Sequence, residues 1–164
     1  MVKRIGFCCQ WYHPDQSLNK KQLEEIQRPF NTKATTVRWL NEHRDQAEEK
    51  LDIVVRHNIE SLKKLVAQVG SLPPERRMVR LGSPVLPMAT EATWRYYIDS
   101  SDIVRYCERH FAEVGDLARR LDVKVSFHPG QFTVLASESE DIVGRSIDEF
   151  EYHVNMARWM GFGK

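Results

Sequence analysis

The segment Ser126-Phe-His-Pro-Gly-Gln-Phe-Thr-Val-Leu-Ala-Ser137 is the densest run of side chains capable of chemistry. His128 stands where an apolar run ends and Pro129-Gly130 turns the chain. That arrangement would hold an imidazole at the mouth of a sheet and project Gln131 and Phe132 outward. A neutral imidazole is the commonest metal ligand, and Ser126 or a backbone carbonyl could fix its tautomer. The plainer alternative is a strand-end histidine satisfied by one backbone hydrogen bond, and position alone does not separate the two. Glu91, in Met88-Ala-Thr-Glu-Ala92, could bring a carboxylate to the same metal if its loop opens on the same rim. Otherwise it is an ordinary solvated loop glutamate.

The remaining candidates carry less. His153 lies beside Phe150 and Ala157 at helical spacing, which suits a core or supporting histidine. His13, His43, His57 and His110 show no paired-ligand spacing and read as structural or solvated. Glu24-Glu25 and Glu48-Glu49 are adjacent, so on a helix they point about 100° apart and do not pair as acid and base. Cys8 and Cys9 close an apolar run, where a small buried hydrophobe is the usual role, and no partner histidine is identifiable for a nucleophile. Phe7, Trp11, Tyr12, Phe132 and the aromatics between Trp94 and Tyr97 could stack bases, with Arg80, Lys33 and Arg95 on phosphates. Equally, the rings could pin long loops in place.

These residues must be positioned by a folded domain, and the composition supplies one. The 164 residues are 41% hydrophobic and 29% charged, far from a disordered composition, with no low-complexity tract. No apolar run approaches the ~18 residues of a membrane span, and the N-terminus lacks a signal peptide's apolar core; a soluble, cytoplasmic protein with no membrane partner is expected. Three cysteines without a CxxC pair suggest neither a disulfide framework nor a zinc site. With 24 basic and 23 acidic side chains the net charge is +1, so any nucleic-acid contact must come from a local patch.

Periodicity gives the elements. Residues 4–10 read as a buried strand, followed by a long polar connection over 11–33 with a short helical turn around 22–27. Ala47, Leu51, Val54, Asn58, Leu62, Leu65 and Val69 form one helical stripe, with Thr35 or Thr36 as a cap and Gly70 as a left-handed terminator. A strand over 78–82 and an irregular stretch to about Ser100 follow. A helix over 101–121 buries Val104, Cys107, Phe111, Val114, Ala118 and Leu121. A third strand over 123–127 stops at His128-Pro129-Gly130. A third helix from about Asp141 buries Val143, Ile147, Phe150, Val154 and Ala157 and stops at Gly161. Alternation of this kind implies α/β structure with parallel strands and right-handed crossovers. Long loops after each strand favour a (β/α) TIM-type barrel over a doubly wound sheet, and no Gly-rich phosphate fingerprint follows the first strand. About three of eight βα units are present, so residues 1–164 read as the N-terminal portion of a single, incomplete barrel domain.

At His128-Pro-Gly-Gln-Phe132 the chain resembles the UV-damage endonucleases, metal-dependent barrel enzymes of DNA repair. The resemblance runs through Ile5-Gly-Phe-Cys-Cys-Gln10, Asn31-Thr-Lys-Ala-Thr-Thr36, Val79-Arg-Leu-Gly-Ser83, Leu86-Pro87, Leu135-Ala-Ser137, Glu149-Phe-Glu-Tyr-His153 and Met160-Gly-Phe162. It implies an endonuclease that nicks damaged duplex DNA immediately 5′ of a UV photoproduct with divalent ions, typically manganese. By the same resemblance His128 is a metal ligand, Gln131 and Phe132 probe the duplex, and Phe7 lies near the lesion. Phe7 and Phe132 stand where the family often has Tyr, and Glu91 where many members have a histidine ligand. The family's other ligands come from later strands, so the isolated chain is expected to be a truncated form that is inactive alone, or completed by a C-terminal fragment or a homo-oligomer. Two other readings remain: a related metal-dependent barrel of the abasic-endonuclease or sugar-isomerase type, and a non-catalytic DNA-binding or assembly remnant.

Overall fold

The structure is a computed structural model that describes residues 3–15 and 17–163. The elements are β1 (Phe7–Cys8), α1 (Lys20–Gln27), α2 (Val37–Glu42), α3 (Ala47–Gly70), β2 (Met78–Gly82), α4 (Arg95–Ile98), α5 (Ser101–Arg120), β3 (Lys124–His128) and α6 (Glu140–Trp159). The strands form one parallel sheet in the order β1-β2-β3, with Phe7 opposite Val79, Val79 opposite Val125, and Gly82 opposite His128. The architecture is α/β with parallel strands, as the alternation of elements implies.

The pleat divides the sheet into unlike faces. Val79 and Leu81 are buried beneath α3, α5 and α6, where Val55, Ile59, Leu62, Cys107, Phe111, Val114, Tyr152 and Met156 complete the main core. Because side chains alternate across a strand, Cys8, Arg80, Gly82, Ser126 and His128 share the other face. Parallel strands buried on both faces read as continuous apolar runs. Here the polar alternation of Arg80, Ser126 and His128 marks a face that no helix covers among the described residues. Gly115 is required by packing: a Cβ there would lie 1.9 Å from the Met160 carbonyl oxygen, so only glycine lets α5 approach the end of α6.

Several expectations are corrected. The first strand is two residues long, because Cys9 has φ +65° and its neighbours close a three-residue turn, Gln10 N–H donating to the Cys8 carbonyl at 2.8 Å. Thr36 caps a separate short helix, α2; the chain breaks at His43 (φ −130°, ψ 55°) before α3 begins. Gly70 is the last helical residue of α3 rather than a left-handed terminator, and it abuts Leu121. In α5, Ile103 rather than Val104 is buried. The third strand runs to His128 instead of ending before it.

The largest correction concerns α6. Ile147, Phe150 and Val154, read as its buried stripe, are 47%, 40% and 42% exposed. Its inner face consists of Ser146, Glu149, Tyr152, His153 and Met156. Hydrophobicity selects the wrong face because the inner one is polar along its first half, for a reason the site makes plain.

Candidate functional site

His128 is the last residue of β3 and lies at the carboxyl end of the sheet, on its uncovered face. Its carbonyl accepts a hydrogen bond from Ser83 Oγ at 2.9 Å, which ties the exit of β3 to the exit of β2. Ser83 is held in turn from α6: Tyr152 Oη donates to its carbonyl at 2.7 Å and accepts from Leu86 N–H at 2.9 Å. Burial pushes the Tyr152 phenol up, so it stays protonated as this donor. His153 completes the brace, with Nδ1 2.7 Å from the Glu149 carbonyl and Nε2 3.3 Å from Ser83 Oγ. The supporting role expected for His153 agrees with this geometry.

Beyond Pro129 the chain makes a tight turn, closed by Thr133 N–H donating to the Gly130 carbonyl at 3.1 Å. Gln131 and Phe132 are its two tip residues, both exposed, and Phe132 is 83% exposed. The turn is fixed from below. Glu149 Oε1 accepts from Gly130 N–H at 3.3 Å, and Ser146 Oγ accepts from Val134 N–H at 2.8 Å. The polar inner face of α6 therefore exists to satisfy this loop. Thr90, Gln131, Phe132, Val134, Arg145 and Glu149 line a cleft of about 470 Å³ beside the turn.

The other expected residues fall differently. Arg80 lies on the uncovered face with Nε donating to the Phe127 carbonyl at 3.1 Å. Phe7 pairs with Val79 and packs against the main core, on the opposite face from His128. Glu91 Oε2 accepts from the backbone N–H groups of Thr93 and Trp94, at 3.0 and 2.9 Å, so its carboxylate organises the entry to α4. Trp94 is buried with Leu40, Ala47 and Leu51, and Trp11 packs on Phe30 with ring centroids 4.7 Å apart and planes tilted by 47°; these rings pin loops.

Two asparagines hold the rim loops. Asn58, fully buried in α3, accepts from Lys33 N–H at 2.7 Å and donates to the carbonyls of Lys33, Pro84 and Val85 at 2.9 Å. Asn31 accepts from Trp11 N–H at 2.7 Å and donates to its carbonyl at 2.9 Å. Each amide pairs with both peptide groups of one residue, as a strand neighbour would.

Sequence reasoning missed one grouping. Cys8 Sγ, Cys9 Sγ and a ring nitrogen of His128 all lie within 4.8 Å of one another. Burial and the Cys8 sulfur push the Cys9 thiol up to about 11, against the pull of the Arg80 charge. The usable signal was topological: residues ending the outer strands of a parallel sheet reach the same rim.

Comparison with known proteins decides what this rim belongs to. A family profile described as UV-endonuclease UvdE matches residues 4–164. The chain belongs to this UV-endonuclease family. A UV DNA damage endonuclease of Bacillus velezensis is 29% identical over 130 residues, covering 77% of this chain and 38% of that protein. The UV DNA damage endonuclease of Bacillus pumilus is 33% identical over 87 residues, covering 53% and 26%. The UV-damage endonuclease of Schizosaccharomyces pombe is 32% identical over 75 residues, covering 46% and 12%. A solved structure described as "Crystal Structure of SacUVDE" superposes with a TM-score of 0.71 at 22% identity, covering 97% of this chain and 46% of that one. The chain thus spans less than half the length of these UV-endonuclease relatives. Among the described residues no helix is long and apolar enough to cross a membrane.

Proposed function

We propose that this chain forms the lesion-reading part of a DNA repair endonuclease that nicks UV-damaged duplex 5′ of the photoproduct, within a (β/α)-barrel of which it supplies three strands. The observation that carries the reading is the hydrogen-bonded turn that leaves His128 and presents Gln131 and Phe132 to solvent, in a member of the UV-endonuclease family. Inserting an apolar wedge between base steps costs a few kcal/mol, least where damage has already broken the stack, so the lesion itself supplies selectivity. Arg80, on the uncovered face, would meet the phosphate backbone.

A divalent centre, manganese by the family resemblance, would draw His128 from this chain and would supply polarisation of the phosphodiester and an activated water. The donors beside His128 do not suit that ion by themselves. Manganese favours oxygen-rich sites, whereas no group of three or more potential ligands among the described residues joins His128 to a carboxylate. Glu91, the other expected ligand, is engaged by backbone N–H groups. No step of the hydrolysis is therefore assigned to residues of this chain.

The test is binding, by fluorescence anisotropy, of one labelled duplex before and after UV irradiation. The wild-type chain is expected to prefer the irradiated duplex. Because a stacked ring contributes about 1–3 kcal/mol per base, Gln131→Ala with Phe132→Ala should bring the two affinities together, with an unchanged circular dichroism spectrum. Equal wild-type affinity for both duplexes would overturn the reading.

A further inference from the structure

We propose that Cys8, Cys9 and His128 form a binding site for a thiophilic divalent cation of the zinc class. The inference stands on these side chains alone; it takes the imidazole that the endonuclease reading would give to manganese, so the two ions would compete for His128.

Successive residues of a regular strand point to opposite faces. Cys8 and Cys9 escape that rule because Cys9 takes φ +65° in the three-residue turn that ends β1, and the two sulfurs come within 3.1 Å. The Cys9 N–H is fixed by the Arg80 carbonyl at 2.7 Å, so the turn is anchored on β2. Across the sheet, Gly82 separates β1 from β3. A Cβ there would lie in contact with Cys9 Sγ, at 3.4 Å, so this position adjoins the thiols. Gly82 is also the register partner of His128, which puts the imidazole on the same side.

The donor chemistry then selects the ion. Zinc takes sulfur at about 2.3 Å and imidazole nitrogen at about 2.0–2.1 Å, so its tetrahedral edges are about 3.5–3.8 Å. The observed separations, from 3.1 to at most 4.8 Å, bracket those edges, and Cys8 and His128 are exposed and free to rotate into place. Two thiols and one imidazole are soft and borderline donors, which favour zinc over manganese or magnesium. Three protein ligands leave a tetrahedral ion one position for solvent, the pattern of an exchangeable site. On binding, each thiol loses its proton to bulk solvent as its sulfur–metal bond forms, and His128 binds as the neutral imidazole; nothing is oxidised or reduced.

Cobalt(II) serves as the probe, titrated into the phosphine-reduced chain. We expect one cobalt per chain, a sulfur-to-cobalt charge-transfer band, stoichiometric displacement by zinc, and no displacement by excess manganese. Calorimetry in buffers of different ionisation enthalpy should find about two protons released per ion. Cys8→Ser with Cys9→Ser should abolish the band while leaving Cys107 in place. Cys8→Ser alone, at an exposed position, should weaken binding without touching the fold. Losing even a supporting partner of a ligand costs about 10–100-fold in metal affinity, so His128→Ala should cost at least that. A missing band, a band that survives the double serine variant, or wild-type cobalt affinity in His128→Ala would each overturn the site.

Discussion

At the scale of single residues, the buried amide of Asn58 does more than its place in an apolar stripe suggests. It replaces the strand neighbour that the loops after β1 and β2 lack, bonding four main-chain groups from Lys33, Pro84 and Val85. A buried polar group left without a partner costs about 1–3 kcal/mol. Asn58→Ala strands several at once, so a loss of at least about 3 kcal/mol in urea unfolding is expected. Asn58→Leu should be no better, since matching volume does not restore the bonds. Asn31→Ala, which releases only the partly buried Trp11 groups, should cost less than half as much. Ser83→Ala should leave the fold intact but free the His128 carbonyl, lowering hydrogen-exchange protection around residues 128–130.

Among elements, α6 separates what patterning can and cannot reveal. Its existence and length were legible, as were those of α5 and β2, because caps, turns and periodicity agree along those segments. Its orientation was not. Apolar periodicity reports which face avoids water, whereas Ser146, Glu149 and His153 face inward to pair with loop and strand-end groups distant in sequence. The left-handed Cys9 was hidden for a similar reason, since its N–H is fixed by the Arg80 carbonyl of another strand. The orientation can be checked directly. Met156→Ala, on the inner face, should cost about 2–5 kcal/mol, whereas Phe150→Ser on the exposed stripe should stay within about 1 kcal/mol. The pairing of α3 with α5 carries a pH signature. Lys63 Nζ lies 2.6 Å from Glu113 Oε2, and this contact, with His110 adding to it, holds the Glu113 carboxyl down at about 2, below its usual 4.5. A lowered carboxyl contributes stability above its unfolded value and loses it as pH falls from about 4.5 towards 2. Glu113 is 45% exposed, so screening keeps the contribution of the pair under about 1 kcal/mol. Glu113→Gln should therefore flatten the acid limb of a thermal-stability profile without lowering the plateau by more than that.

For the molecule as a whole, the sheet presents one uncovered face and two outer strand edges among the described residues, beside the apolar stripe of α6. Unpaired edges and exposed apolar stripes template association. Residues 1–164 alone are expected to self-associate in light scattering as concentration rises, and Ile147→Lys with Phe150→Lys should shift that distribution towards monomer. A monodisperse monomer at every concentration would show that these surfaces do not drive assembly. The polar column of α6 has a different consequence, for ancestry and for engineering. The turn bearing Gln131 and Phe132 owes its shape to hydroxyl and carboxylate groups that arrive 12 and 19 residues later in the chain. It cannot be inherited or transplanted as a short peptide: a barrel given residues 128–134 without Ser146 and Glu149 would receive the letters of the probe and not its posture.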